Sequence, residues 1–175
     1  MNKLLPIAAA VATAFSIAPA QASTTDAHQR LWTEMERIGV SIHVNPSECK
    51  LASYAGYYRS AASRMVICQD NGIAGSGQQA AWTANDLDTL RHESWHVIQD
   101  CKGLIRGNNQ LSTIYVKPFL FAQQFFGTIT IQNIVATYKG LGAPKHVQVL
   151  EVEAFAVAEM NNPDQQVADS RKYCL

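Results

Sequence analysis

At 175 residues, 47% of them hydrophobic and 16% charged, the chain has the size and apolar content of one globular domain with its own core. Fourteen basic residues balance fourteen acidic ones, so the average charge offers nothing to nucleic acid or to an anionic membrane. The chain opens with Asn2-Lys3, an apolar run from Leu4 to Ala18 and the tripeptide Ala20-Gln21-Ala22. This is the layout of a secretory signal peptide cleaved after Ala22, and the run is too short to span a bilayer comfortably. Residues 23–175 are then one exported domain, periplasmic or secreted, with 13 basic against 14 acidic residues once Lys3 is removed.

Leu31, Met35 and Ile38 fall at helical spacing between Thr25 and Ile38, and Gly39 suits a helix C-cap. Val40-Ser41-Ile42-His43-Val44 alternates with period two and stops at Asn45-Pro46, which predicts a strand. Tyr57-Tyr58 and Met65-Val66-Ile67-Cys68 are the next strand candidates, giving a small sheet. The stretch from Gly72 to Gly77 lacks the lysine of a phosphate loop and reads as a plain loop. Beyond residue 102 the pattern predicts a loop at Gly107–Asn109, core packing by Phe119 to Phe126 and a helix near Gln132–Tyr138. Pro144 opens a last helix that Asn161-Asn162-Pro163 closes. The expected fold class is therefore α+β.

All four cysteines, Cys49, Cys68, Cys101 and Cys174, follow the signal, and an even count in an exported chain favours disulfides. Three pairings exist. Cys49 with Cys68 and Cys101 with Cys174 is the favoured one, the second tying the C-terminal tail to the helix described next. A cysteine-ligated zinc is disfavoured because no Cys-x-x-Cys pair is present.

Thr83 with Asp86 resembles a capping box, and Lys102-Gly103 marks the other end of a helix. Winding it at about 100° per residue puts Leu87, Leu90, Val97, Ile98 and Cys101 on one side and His92, Trp95, His96 and Gln99 on the other. Imidazoles one turn apart reach a common point, where they can bind a metal at about 2.0–2.1 Å. Glu93 lies beside that face, placed to take a proton from a water that a metal has made acidic. Gln99 and Asp100 are candidates to orient the ligands, and solvation on the helix surface explains Asp100 equally well.

His92-Glu93-Ser94-Trp95-His96 resembles the signature of the zincin metallopeptidases. In the metzincin branch a glycine and a third histidine would fall on Gln99 and Lys102, so that branch does not fit. In the gluzincin branch a glutamate on a later helix is the third ligand, and Leu150-Glu151-Val152-Glu153-Ala154-Phe155-Ala156 is similar to that segment. The resemblance implies a small single-domain zincin-like fold, zinc as cofactor, His92, His96 and Glu151 or Glu153 as ligands, and hydrolysis of a peptide or protein substrate with Glu93 as general base.

Glu151 shares its face with Val147, Ala154 and Ala158, small enough for close helix approach, and is preferred as ligand. Glu153 would then support a histidine. Phe155 stands where the branch often has an acid. Tyr115, Tyr138 and His146 are all available as the transition-state donor, and the strand Met65–Cys68 is the candidate edge for an extended substrate. The rival reading is an exported zinc-binding module without turnover. A serine hydrolase built on Ser94 lacks the Gly-x-Ser-x-Gly elbow.

Overall fold

The computed structural model describes residues 26–50, 54–103 and 106–174. The signal peptide expected at residues 1–22 lies outside them. The architecture is α+β in one domain: among the described residues, six α-helices lie around a three-stranded sheet. No helix among the described residues is long and apolar enough to cross a membrane.

Helix α1 (Asp26–Arg37) buries Leu31 and Met35 and ends at Gly39, whose φ of 82° only a glycine adopts without strain. Strands β1 (Ser41–Val44), β2 (Gly56–Arg59) and β3 (Arg64–Ile67) follow. Their order is β1-β3-β2, with β3 parallel to β1 and antiparallel to β2. The segment expected as an edge is thus the centre of the sheet, paired on both sides, and β2 is the edge beside the candidate site. The disulfide Cys49–Cys68 ties the segment after β1 to the end of β3.

Helix α2 (Ala84–Lys102) starts at a complete capping box. Asp86 N–H donates to the Thr83 hydroxyl, and Thr83 N–H donates to the Asp86 carboxylate at 2.8 Å. It is the axis of the molecule, buried on both faces: Leu87, Leu90, Val97 and Ile98 are buried, and so are His92, Glu93, Trp95, His96, Gln99 and Asp100. The division into a core face and an open histidine face is therefore too simple. Strand β2 and the later helix spanning Lys145–Met160 cover the histidine side.

Helices α3 (Pro118–Ala122), α4 (Thr128–Gly140) and α5 (Lys145–Met160) come next. Ala154, Ala156 and Ala158 are fully buried and let α5 lie close to α2. Two buried hydrogen bonds fix their antiparallel register, from Arg91 Nε to Ala158 O at 2.8 Å and from Gln99 Nε2 to Leu150 O at 3.1 Å. Of the phenylalanines expected in the core, Phe121 is buried and Phe125 and Phe126 pack against its cluster, but Phe119 is 40% exposed.

The sequence pattern did not predict α6 (Pro163–Tyr173). It is held by tertiary contacts: the disulfide Cys101–Cys174, a hydrogen bond from Gln166 Nε2 to Arg91 O, and the buried Glu34 carboxylate, which accepts from Ser170 and Arg171.

Candidate metal centre

One turn of α2 and the middle of α5 bring three donors together. His92 Nε2 lies 3.2 Å from Glu151 Oε2, His96 Nε2 lies 3.4 Å from the same oxygen, and the two Nε2 atoms are 3.1 Å apart. Donors bound tetrahedrally at 2.0–2.1 Å lie about 3.3 Å from one another, so this triangle has the size of one face of a zinc tetrahedron. Two imidazole nitrogens so close need either a proton or a cation between them. His92, His96 and Glu151 form the one such group of metal-capable side chains among the described residues.

The remaining donors of the imidazoles differ. Gln99 Oε1 lies 2.8 Å from His96 Nδ1; an amide oxygen only accepts, so Nδ1 carries a proton and Nε2 is the nitrogen turned to the cluster. His92 Nδ1, by contrast, is buried with no hydrogen-bond partner among the described residues. The Phe155 ring packs edge-on against that imidazole with centroids 4.5 Å apart.

Glu153 does not join the cluster. Its Oε1 accepts from Trp95 Nε1 at 2.8 Å, Gln99 Nε2 at 3.2 Å and Ile114 N at 2.9 Å, and its Oε2 accepts from Tyr115 N at 3.2 Å. It touches neither histidine and reaches His96 only through Gln99, which corrects both roles expected for it. Asp100 is likewise neither solvated nor in contact with a ligand: its Oδ2 accepts from the Tyr58 hydroxyl at 2.9 Å and from Gly107 N at 3.0 Å. Trp95 is a packed core residue, 1% exposed.

Glu93 is buried beside the triangle. Burial raises its pKa, the charge of Glu151 adds to the rise, and the two imidazoles and a hydrogen bond from the Tyr58 backbone N–H oppose it. Strand β2 can bring that N–H in because Gly56 has no side chain: a Cβ there would sit 2.6 Å from Thr89 Cγ2. Burial pulls the His96 imidazole down, but Glu151 outweighs it and holds the group up at about 9. Glu151 itself is penalised by burial, yet the paired imidazoles keep it well below the usual carboxylate range.

Two pockets flank the cluster. One of about 340 Å³ touches His96 and Glu151 and is walled by Tyr57, Arg59 and His146. The other, about 320 Å³, touches His92 and Glu93 and is walled by Tyr138, Leu141 and Phe155. Burial and the charge and hydrogen bonding of Glu151 raise the Tyr138 hydroxyl well above its ordinary pKa. Tyr138 and His146 therefore border the centre, whereas Tyr115 is stacked on Phe121 with centroids 3.7 Å apart.

A family profile for a domain of unknown function, DUF8637, matches residues 23–175. The chain belongs to the DUF8637 family. Comparison of this DUF8637 chain with curated proteins and with solved structures returns no match. The match begins directly after Ala22, and both disulfides of the DUF8637 domain, Cys49–Cys68 and Cys101–Cys174, lie inside it, as is usual for proteins that fold in an oxidising compartment.

Proposed function

We propose that this domain is an exported zinc-dependent peptidase. The observation that carries the reading is the triangle of His92, His96 and Glu151, with donor separations of 3.1 to 3.4 Å and the buried Glu93 carboxylate alongside. The resemblance of His92-Glu93-Ser94-Trp95-His96 to the zincins supports it.

A zinc ion held by those three side chains would polarise the scissile carbonyl and lower the pKa of a water toward about 7. Glu93 accepts the proton of the attacking water; its burial raises its basicity toward the range a general base needs. The same carboxyl group then gives the proton to the leaving nitrogen. Tyr138 and His146 border the centre from opposite pockets, and both are donors for the oxygen that becomes negative. Strand β2 is the outer strand beside the centre, and its Tyr57 and Arg59 line the 340 Å³ pocket in which a peptide can lie.

The test is bound zinc and cleavage of a broad peptide library, measured for wild type, Glu93→Gln and His96→Ala. Glu93→Gln should keep zinc and lose cleavage by at least a hundredfold, and His96→Ala should lose both. Zinc binding with no cleavage by wild type would leave a metal-binding module, and no zinc at all would overturn both readings. Glu151→Gln should weaken zinc far more than Glu153→Gln.

A further inference from the structure

The balanced total charge hides a strong local bias. From Cys101 to Leu150 the chain contains no Asp or Glu, but it carries Lys102, Arg106, Lys117, Lys139 and Lys145. The fourteen acids lie elsewhere, on α1, at Glu48 and Asp70, along α2 from Asp86 to Asp100, and in α5 and α6. Within the acid-free part are five of the seven large apolar side chains exposed among the described residues: Val116 at 96%, Phe119, Leu120, Ile129 and Leu141. They surround α3 and the two ends of α4.

Lysines and apolar side chains share the same depressions there. One groove of about 490 Å³ between α3 and α4 is lined by Phe119, Ile131 and Val135 together with Lys139. The neighbouring depression is lined by Val116, Leu120 and Phe121 together with Lys117. Protein interfaces are depleted of lysine at their apolar centre, where an ammonium would lose its hydration. At a lipid surface the combination is favourable, because apolar side chains enter the acyl boundary while lysines extend to anionic headgroups.

We propose that the α3–α4 face, centred on Val116, Lys117, Leu120 and Lys139, docks on an anionic phospholipid membrane. The protein then binds peripherally, held by the sum of apolar insertion and headgroup attraction. The proposal is independent of the hydrolytic reading. Because α4 also carries Tyr138, whose hydroxyl hydrogen-bonds Glu151, a docked α4 would set the candidate centre at a fixed height above the lipid.

The experiment is co-sedimentation of the mature chain with phosphatidylcholine vesicles, with and without phosphatidylglycerol. Wild type should sediment with the anionic vesicles and dissociate as salt is raised. Both Lys117→Glu/Lys139→Glu and Val116→Asp/Leu120→Asp should weaken this at least about tenfold with unchanged Tm. Ile73→Asp, at an exposed apolar residue outside the patch, should change nothing. No sedimentation with anionic vesicles, or binding that both double variants retain, would overturn the proposal. So would self-association of wild type that the same substitutions abolish, because a second copy would then be the occupant.

Discussion

Gln99 holds His96 in the tautomer that a metal requires: its side-chain oxygen lies 2.8 Å from His96 Nδ1, while its amide is anchored on Leu150 O and Glu153 Oε1. The amide thus cannot swing away from the imidazole without breaking both anchors. Removing such a partner usually costs a metal site 10–100-fold in affinity. Gln99→Met should lower zinc affinity by about that factor, read by competition with a chromophoric chelator. It should also lower stability by about 1–3 kcal/mol, because the buried His96 Nδ1–H loses its acceptor. Unchanged zinc affinity in a destabilised variant would reduce Gln99 to a packing role.

The other histidine lacks this support. Burying His92 Nδ1 without a partner costs about 1–3 kcal/mol, and the Phe155 ring packs against the same imidazole. Phe155→Asp should therefore tighten zinc, by roughly tenfold, if the new carboxylate accepts from Nδ1. Titration with zinc, comparing Phe155→Asp with Phe155→Ala, separates the hydrogen bond from the loss of the ring. Equal weakening in both variants would show that ring packing alone orients His92.

The reach of the sequence follows the range of the interactions. Helix α2 was readable because its determinants are local, with Thr83 and Asp86 at its start and Lys102 at its end. The two histidines were readable because the helix alone sets their spacing. Choosing between Glu151 and Glu153 needed more: side-chain size on the two faces of α5 favoured Glu151, but the partners of Glu153 include the backbone of Ile114 and Tyr115, distant in sequence and without a side-chain signal. The central place of β3 was hidden for the same reason, since its parallel pairing with β1 is a long-range choice. Helix α6 has only a thin apolar stripe, with Val167 as its one large buried apolar residue, and depends on α1, α2 and the Cys101 disulfide.

A buried contact between α1 and α2 sets an acid limit. His28 Nε2 lies 2.7 Å from Arg91 Nη1, so the imidazole accepts from the guanidinium and must be neutral there. Burial first, and the Arg91 charge second, lower its pKa to about 4. An unfolded chain would bind a proton at His28 below about pH 6.5, which the folded chain refuses until about pH 4. Stability should thus fall as pH drops through that window, by about 1–2 kcal/mol from this group. Urea unfolding of wild type and His28→Gln between pH 7 and 4 checks the sign: the variant should lose less stability over the window, and parallel curves would refute the assignment.

The two disulfides should differ in weight because they close loops of different length. Cys49 and Cys68 are 19 residues apart, and Cys101 and Cys174 are 73 apart. On the chain-entropy account the first stabilises by about 3 kcal/mol and the second by about 4 kcal/mol. The structural consequence separates them further. Loss of Cys49–Cys68 frees a short segment beside the sheet, whereas loss of Cys101–Cys174 frees the end of α6, whose Gln166 caps Arg91 O and whose Ser170 and Arg171 hold the buried Glu34. Replacing Cys101 and Cys174 together by Ala should lower Tm more than replacing Cys49 and Cys68. Hydrogen exchange should then show early opening of α6 and α1 with α2 still protected, leaving zinc affinity nearly intact. Exchange that spreads at once through α2, with loss of zinc, would mean that α6 and the candidate metal centre fold as one unit.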